Sequence, residues 1–80
     1  MDYDPQELFG LHLIELRKAR GWSQEKLALE SELARSYIGG IERGKRNLAL
    51  INICKLANTL EVSPSEMLNF FPPETKKKRK

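Results

Sequence analysis

Two segments patterned as short helices, with a four-residue break between them, constrain this chain more than any other feature. Ser23 is a good helix N-cap, and Glu25 stands near the positive end of the dipole that follows. Leu27 and Ala28 supply the inward positions of a helix predicted over residues 24–30. Ser31-Glu32-Leu33 interrupts the pattern, and a second helix is predicted from about Arg35 to Arg43, ended by Gly44. Ile38 and Ile41 point inward on that second helix. Arg35, Ser36, Tyr37, Gly39 and Gly40 are thereby expected on its outer face.

The flanking segments read as helices too. Asp4-Pro5 couples a capping carboxylate to a proline at the first helical position, and Phe9, Leu13, Leu16 and Arg20 follow at helical spacing before Gly21. Gly10 inside this helix costs about 1 kcal/mol against alanine, which points to close packing by another element. A fourth helix, 50–60, carries the stripe Leu50, Ile53, Leu56, Ala57 and Leu60. Ser63-Pro64-Ser65-Glu66 combines a capping box with proline at the first position, and predicts a fifth helix from Pro64 to about Phe70. Pro72-Pro73 stops it. There is no strand-like alternation and no repeat, so the fold class is all-α with five helices. Residues 1–71 form one domain, and 72–80 read as a basic, disordered tail.

An 80-residue chain buries only roughly 60% of the surface it exposes when unfolded, so it gains from dimerisation. The net charge of +3 is misleading, because Lys76, Lys77, Lys78, Arg79 and Lys80 supply five positive charges. Without them nine basic side chains face eleven acidic ones, a net of −2. A nucleic-acid footprint must therefore be a local patch, and the densest cluster in the folded region is Arg35, Arg43, Lys45 and Arg46.

Two short helices joined by a tight turn, with a polar outer face on the second, define a helix-turn-helix, here the second and third helices. The segments Ser23-Gln24-Glu25-Lys26-Leu27-Ala28 and Ser36-Tyr37-Ile38-Gly39-Gly40-Ile41-Glu42-Arg43-Gly44-Lys45-Arg46-Asn47 strongly resemble the lambda-repressor-like (Cro/CI, Xre-type) family. Leu56-Ala57 and Glu61-Val62-Ser63-Pro64-Ser65-Glu66 continue the match. Within that family the segment from Arg35 to Arg43 is most similar to controller proteins of restriction–modification systems.

The resemblance implies a transcriptional regulator, activator or repressor, that binds a near-palindromic double-stranded DNA operator as a homodimer. It implies base contacts from Arg35, Ser36 and Tyr37, and phosphate contacts from Gln24, Arg43, Arg46 and Asn47. A guanidinium matches guanine O6 and N7 in bidentate fashion, which is worth about 1–3 kcal/mol of discrimination. Arg17 and Glu42 correspond to a structural ion pair that ties the recognition helix to the scaffold. The sequence departs from the family at Ala34, where a capping serine or threonine is usual, and at Glu32, which replaces a turn glycine. Alternatives are an antitoxin-type protein-interaction module and a phage-type repressor.

Met67, Leu68, Phe70 and Phe71 crowd the short fifth helix, and their excess of apolar surface marks a dimer interface. Glu25, Glu30 and Glu32 are candidates for contact with RNA polymerase, solvated surface being the simpler reading. His12, the one histidine, and Cys54, the one cysteine, read as packing residues, Cys54 as a small buried hydrophobe. Trp22 is expected to close the core. No metal-ligand spacing or phosphate-cradling glycine loop is present, so an enzyme, a cofactor and a small-molecule ligand are not expected. The lone cysteine, the acidic N-terminus and the lack of a long apolar run fit a cytoplasmic protein with no membrane partner, and the resemblance implies a bacterial one that works on the nucleoid.

Overall fold

The computed structural model describes residues 1–70, and these form five helices: α1 (Pro5–Ala19), α2 (Gln24–Ser31), α3 (Arg35–Glu42), α4 (Leu50–Leu60) and α5 (Pro64–Met67). Phe71 and the tail 72–80 lie outside the described residues. Capping chemistry accounts for most of the boundaries. The Asp4 carboxylate accepts from the Gln6 and Glu7 amides at 3.0 and 3.3 Å. Ser23 Oγ accepts from Lys26 N at 3.0 Å, and Ser63 Oγ from Glu66 N at 3.1 Å. These bonds satisfy first-turn amides that have no partner within the helix. Gly21 and Gly44, at φ +73° and +75°, turn the chain out of α1 and α3.

α3 lies at the centre, packed on α1 and α2, while α4 packs on α2 and α5, and α5 returns to α1. Leu13, Leu27, Ile38, Leu56 and Met67 are fully buried, and Phe9, Ala28, Ile41, Ala57 and Leu60 complete the core. Gly10 is the point where α1 touches the end of α3. A Cβ there would press on the Ile41 carbonyl oxygen and approach that of Glu42 to 2.9 Å. Only a residue without a side chain allows this backbone-to-backbone crossing. His12 Nε2 donates to the Glu66 carbonyl at 2.7 Å and ties α1 to α5. Arg20 does the same for α4, donating to the Leu60 carbonyl at 3.1 Å.

Several expectations need correction. α5 ends at Met67 rather than reaching Phe70, because its backbone bonds contract. Asn69 N bonds the Glu66 carbonyl and Phe70 N bonds that of Leu68, spans of three and then two residues, which close the helix off. Met67, expected at a dimer interface, is fully buried in the core and has no surface to offer. Cys54 is exposed, and Leu50, expected on the inward stripe of α4, is 72% exposed beside Ile51 at 69%. The inward face of α4 is set by Leu56, Ala57 and Leu60 with Ile53 packed against the core, and Leu50 and Ile51 turn to solvent. Glu32 takes the left-handed conformation at φ 63° without being glycine, so the turn after α2 keeps its geometry.

Candidate nucleic-acid interface

The site starts from a buried polar network. Arg17 Nε donates to Glu42 Oε2 at 2.7 Å, and Arg17 Nη2 to Glu42 Oε1 at 3.0 Å, a bidentate pair between α1 and the last residue of α3. Arg17 Nη1 donates to the Trp22 carbonyl at 2.8 Å, and Gln24 Nε2 to Glu42 Oε1 at 2.8 Å. One glutamate therefore ties α3 to both α1 and α2. The hydrogen bond to Glu42 raises the Arg17 pKa above its ordinary value, burial opposes this, and the negative charge of Glu42 adds to the rise. Among the described residues no buried side-chain nitrogen or oxygen lacks a partner. This satisfaction is what lets a charged pair sit in the interior.

The outer side of α3 is built on that support. Arg35 opens the helix with its side chain 60% exposed and its Nε 4.0 Å from the Glu25 carboxylate of α2. Ser36 is exposed. Ala34 precedes them as N-cap without a side-chain bond, so the first-turn amides have no side-chain cap. Tyr37 is half-buried, packs against the core edge, and accepts a hydrogen bond from Asn52 Nδ2 of α4 at 3.1 Å.

Gly39 and Gly40, expected to be open on this face, are buried. The reason is that two arginines from beyond the helix end are folded back over them. A Cβ on Gly39 would lie 3.2 Å from Arg43 Nη1 and 3.8 Å from Gln24 Oε1. On Gly40 it would lie 3.2 Å from both Cγ and Nε of Arg46. The Arg46 guanidinium also stands 5.3 Å from the centre of the Tyr37 ring, within cation–π range. The glycines are seats for these arginines. Arg43 and Arg46, which follow α3 in the chain, thus lie against the helix that Arg35 opens, and exposed Lys45 and Asn47 neighbour them in sequence.

Gln24 joins the buried network through one amide N–H and remains half-buried. Leu68 is 46% exposed, and Phe70 is half-buried, its ring meeting that of Phe9 edge-on at 6.1 Å. Phe71 falls outside the described residues. Leu50, Ile51 and Cys54 form the exposed apolar face of α4. Trp22 is half-buried beneath Arg20, whose guanidinium is 4.6 Å from the ring centre. Sequence reasoning missed Asn52, the seating role of the glycines and the α4 face. None of these had a local signal, since adjacent apolar residues of a helix also occur within the core, as Leu56 and Ala57 do. Among the described residues no helix is long and apolar enough to cross a membrane.

Comparison with known proteins agrees with this geometry. The helix-turn-helix family model matches residues 13–67. Control protein C.BamHI of Bacillus amyloliquefaciens is 47% identical over 64 residues, 79% of each chain. The crystal structure of the restriction-modification controller protein C.AhdI from Aeromonas hydrophila superposes with a TM-score of 0.78 at 54% identity, covering 81% of this chain and 98% of that one. The biofilm regulator SinR, solved in complex with DNA, aligns with a TM-score of 0.73 at 31% identity, over 76% of this chain and 98% of its own.

Proposed function

The chain belongs to the helix-turn-helix family, and from that premise we propose that it is a transcription regulator of the restriction–modification controller type, binding operator DNA as a homodimer. One observation carries the reading. A helix held by a bidentate buried ion pair presents Arg35 at its start and Arg43 and Arg46 across its glycines, all toward solvent. A rigid helix with forked donors at both ends suits a major groove, where arginine reads guanine and the flanking cations meet phosphates. Arg35 with Ser36 and Tyr37 serves the bases; Gln24, Arg43, Arg46 and Asn47 serve the backbone.

Dimerisation supplies the second half-site. The exposed side chains of Leu50, Ile51 and Leu68 are the surface we assign to it, with half-buried Phe70 as a further candidate. The two α3 helices then meet successive major grooves roughly 34 Å apart, on a near-palindromic operator. Similarity to C.BamHI and C.AhdI favours the controller assignment over an antitoxin or a phage repressor. The role belongs in the bacterial cytoplasm, on the nucleoid, with RNA polymerase touching Glu25, Glu30 or Glu32 when the regulator activates. Residues 1–71 carry these functions, and the basic residues of 72–80 add phosphate attraction that does not depend on sequence.

Selection from random duplexes tests the proposal. A symmetric consensus is expected, with affinity falling steeply as salt rises. Arg35→Ala should lose the preference at one base pair of each half-site, about 1–3 kcal/mol. An Arg35→Ala protein with unaltered consensus and affinity would refute the assignment.

A further inference from the structure

We propose that Asn52 is a positioning residue: its amide seats one N–H on the Tyr37 hydroxyl and so commits that hydroxyl to donate its proton to an acceptor on bound duplex DNA. The inference deepens the DNA-binding reading above and rests on it. Asn52 belongs to α4, not to the recognition helix, and its Nδ2 donates to Tyr37 Oη at 3.1 Å. A phenol O–H lies near the ring plane, and because one lone pair is delocalised into the ring the oxygen has in practice one position for its proton and one for an incoming donor, which exchange as the O–H rotates. An amide N–H cannot accept, so the hydroxyl proton turns away from Asn52.

The ring itself has little freedom left. Its inner side packs against the core, and the Arg46 guanidinium lies 5.3 Å from its centre. What remains is the O–H torsion, and Asn52 sets it. Without that partner the hydroxyl could serve a donor edge, such as cytosine N4 or adenine N6, as readily as an acceptor. With it, Tyr37 is matched to acceptors: thymine O4, guanine O6 or N7, adenine N7, or a phosphate oxygen. Arg46 leans on the same ring and on Gly40, so the bond from α4 steadies a second side chain of the interface.

The test is a double-mutant cycle on the duplex that the wild-type protein selects, using Asn52→Ala, Tyr37→Phe and both together, with circular dichroism confirming the fold. Each single variant should weaken binding about 3- to 10-fold, the range of one hydrogen bond, and the double variant should be no weaker than Tyr37→Phe. Repeating the selection with Asn52→Ala separates the two sources of acceptor. Relaxed preference at one base pair, with the Arg35 position unchanged, identifies a base edge; uniform weakening with an unchanged consensus identifies a phosphate. If Asn52→Ala costs as much in the Tyr37→Phe background as in the wild type, or changes neither affinity nor consensus, the proposal is overturned. Failure of the wild-type protein to bind any duplex at low salt would instead overturn the reading on which it rests.

Discussion

Replacing Glu42 with alanine is the perturbation whose cost the structure specifies best. The Glu42 side chain is 3% exposed and that of Arg17 11%. The substitution removes the acceptor for Arg17 Nε, for Arg17 Nη2 and for Gln24 Nε2 together, leaving the guanidinium only the Trp22 carbonyl. Breaking a buried pair from one side costs about 3–5 kcal/mol, because the surviving charge is stranded. A small domain has about 5–15 kcal/mol in total, and a chain of this size loses roughly 4–8 °C of Tm per kcal/mol. Thermal unfolding followed by far-ultraviolet circular dichroism should therefore show a drop of roughly 12 °C or more. The double variant Arg17→Met with Glu42→Leu should recover much of the loss, since no charge is left without a partner. A Glu42→Ala loss within the range of a surface pair, below about 1 kcal/mol, would refute the reasoning. The pH dependence follows from the same contact. The Arg17 pKa is raised in the folded protein, so its contribution is complete below the unfolded value and is lost only as pH climbs through the folded one. That window lies above the ordinary arginine range, and melting curves taken from neutral to moderately alkaline pH should show no step from this group.

Gly10→Ala and Gly40→Ala are expected to diverge although both exchange glycine for a better helix former. At Gly10 the new methyl meets the backbone of Ile41 and Glu42, and calorimetry should show a loss of about 1–3 kcal/mol. At Gly40 it meets only the flexible Arg46 side chain, so stability should hold or rise by up to about 1 kcal/mol while duplex affinity falls as Arg46 leaves its seat. Ala34→Ser should supply the missing cap of α3 and add about 1 kcal/mol, read as a higher Tm. Ile51→Glu should leave helical content intact and yield monomers in sedimentation equilibrium; a dimer that survives it would place the subunit contact elsewhere.

Which helices form was legible because it depends on local chemistry. Asp4, Ser23 and Ser63 each cap the helix that follows, and the apolar spacing of α1, α2 and α3 chose their inner faces. The element that read poorly is the pair α4–α5, whose apolar residues exceed what one core needs. Leu50, Cys54 and Met67 look alike in a helical pattern, and only the packing angle decides that Met67 goes inside while the other two stay out. Surplus apolar residues show that an interface is wanted without showing which of them form it.

The recognition surface shows a second limit. Arg43 and Arg46 follow α3 in the chain, so helical periodicity places them beyond it, among the loop residues. Their return over Gly39 and Gly40 is a tertiary event, permitted by the absence of two side chains and by the Tyr37 ring. A glycine pair in a helix costs stability by propensity alone, about 0.5–1 kcal/mol each. In this chain the cost coincides with the seating of two guanidinium side chains against α3. A helix with alanine at both positions would be the better helix, and on the function proposed above it would hold its arginines less well for a phosphate backbone.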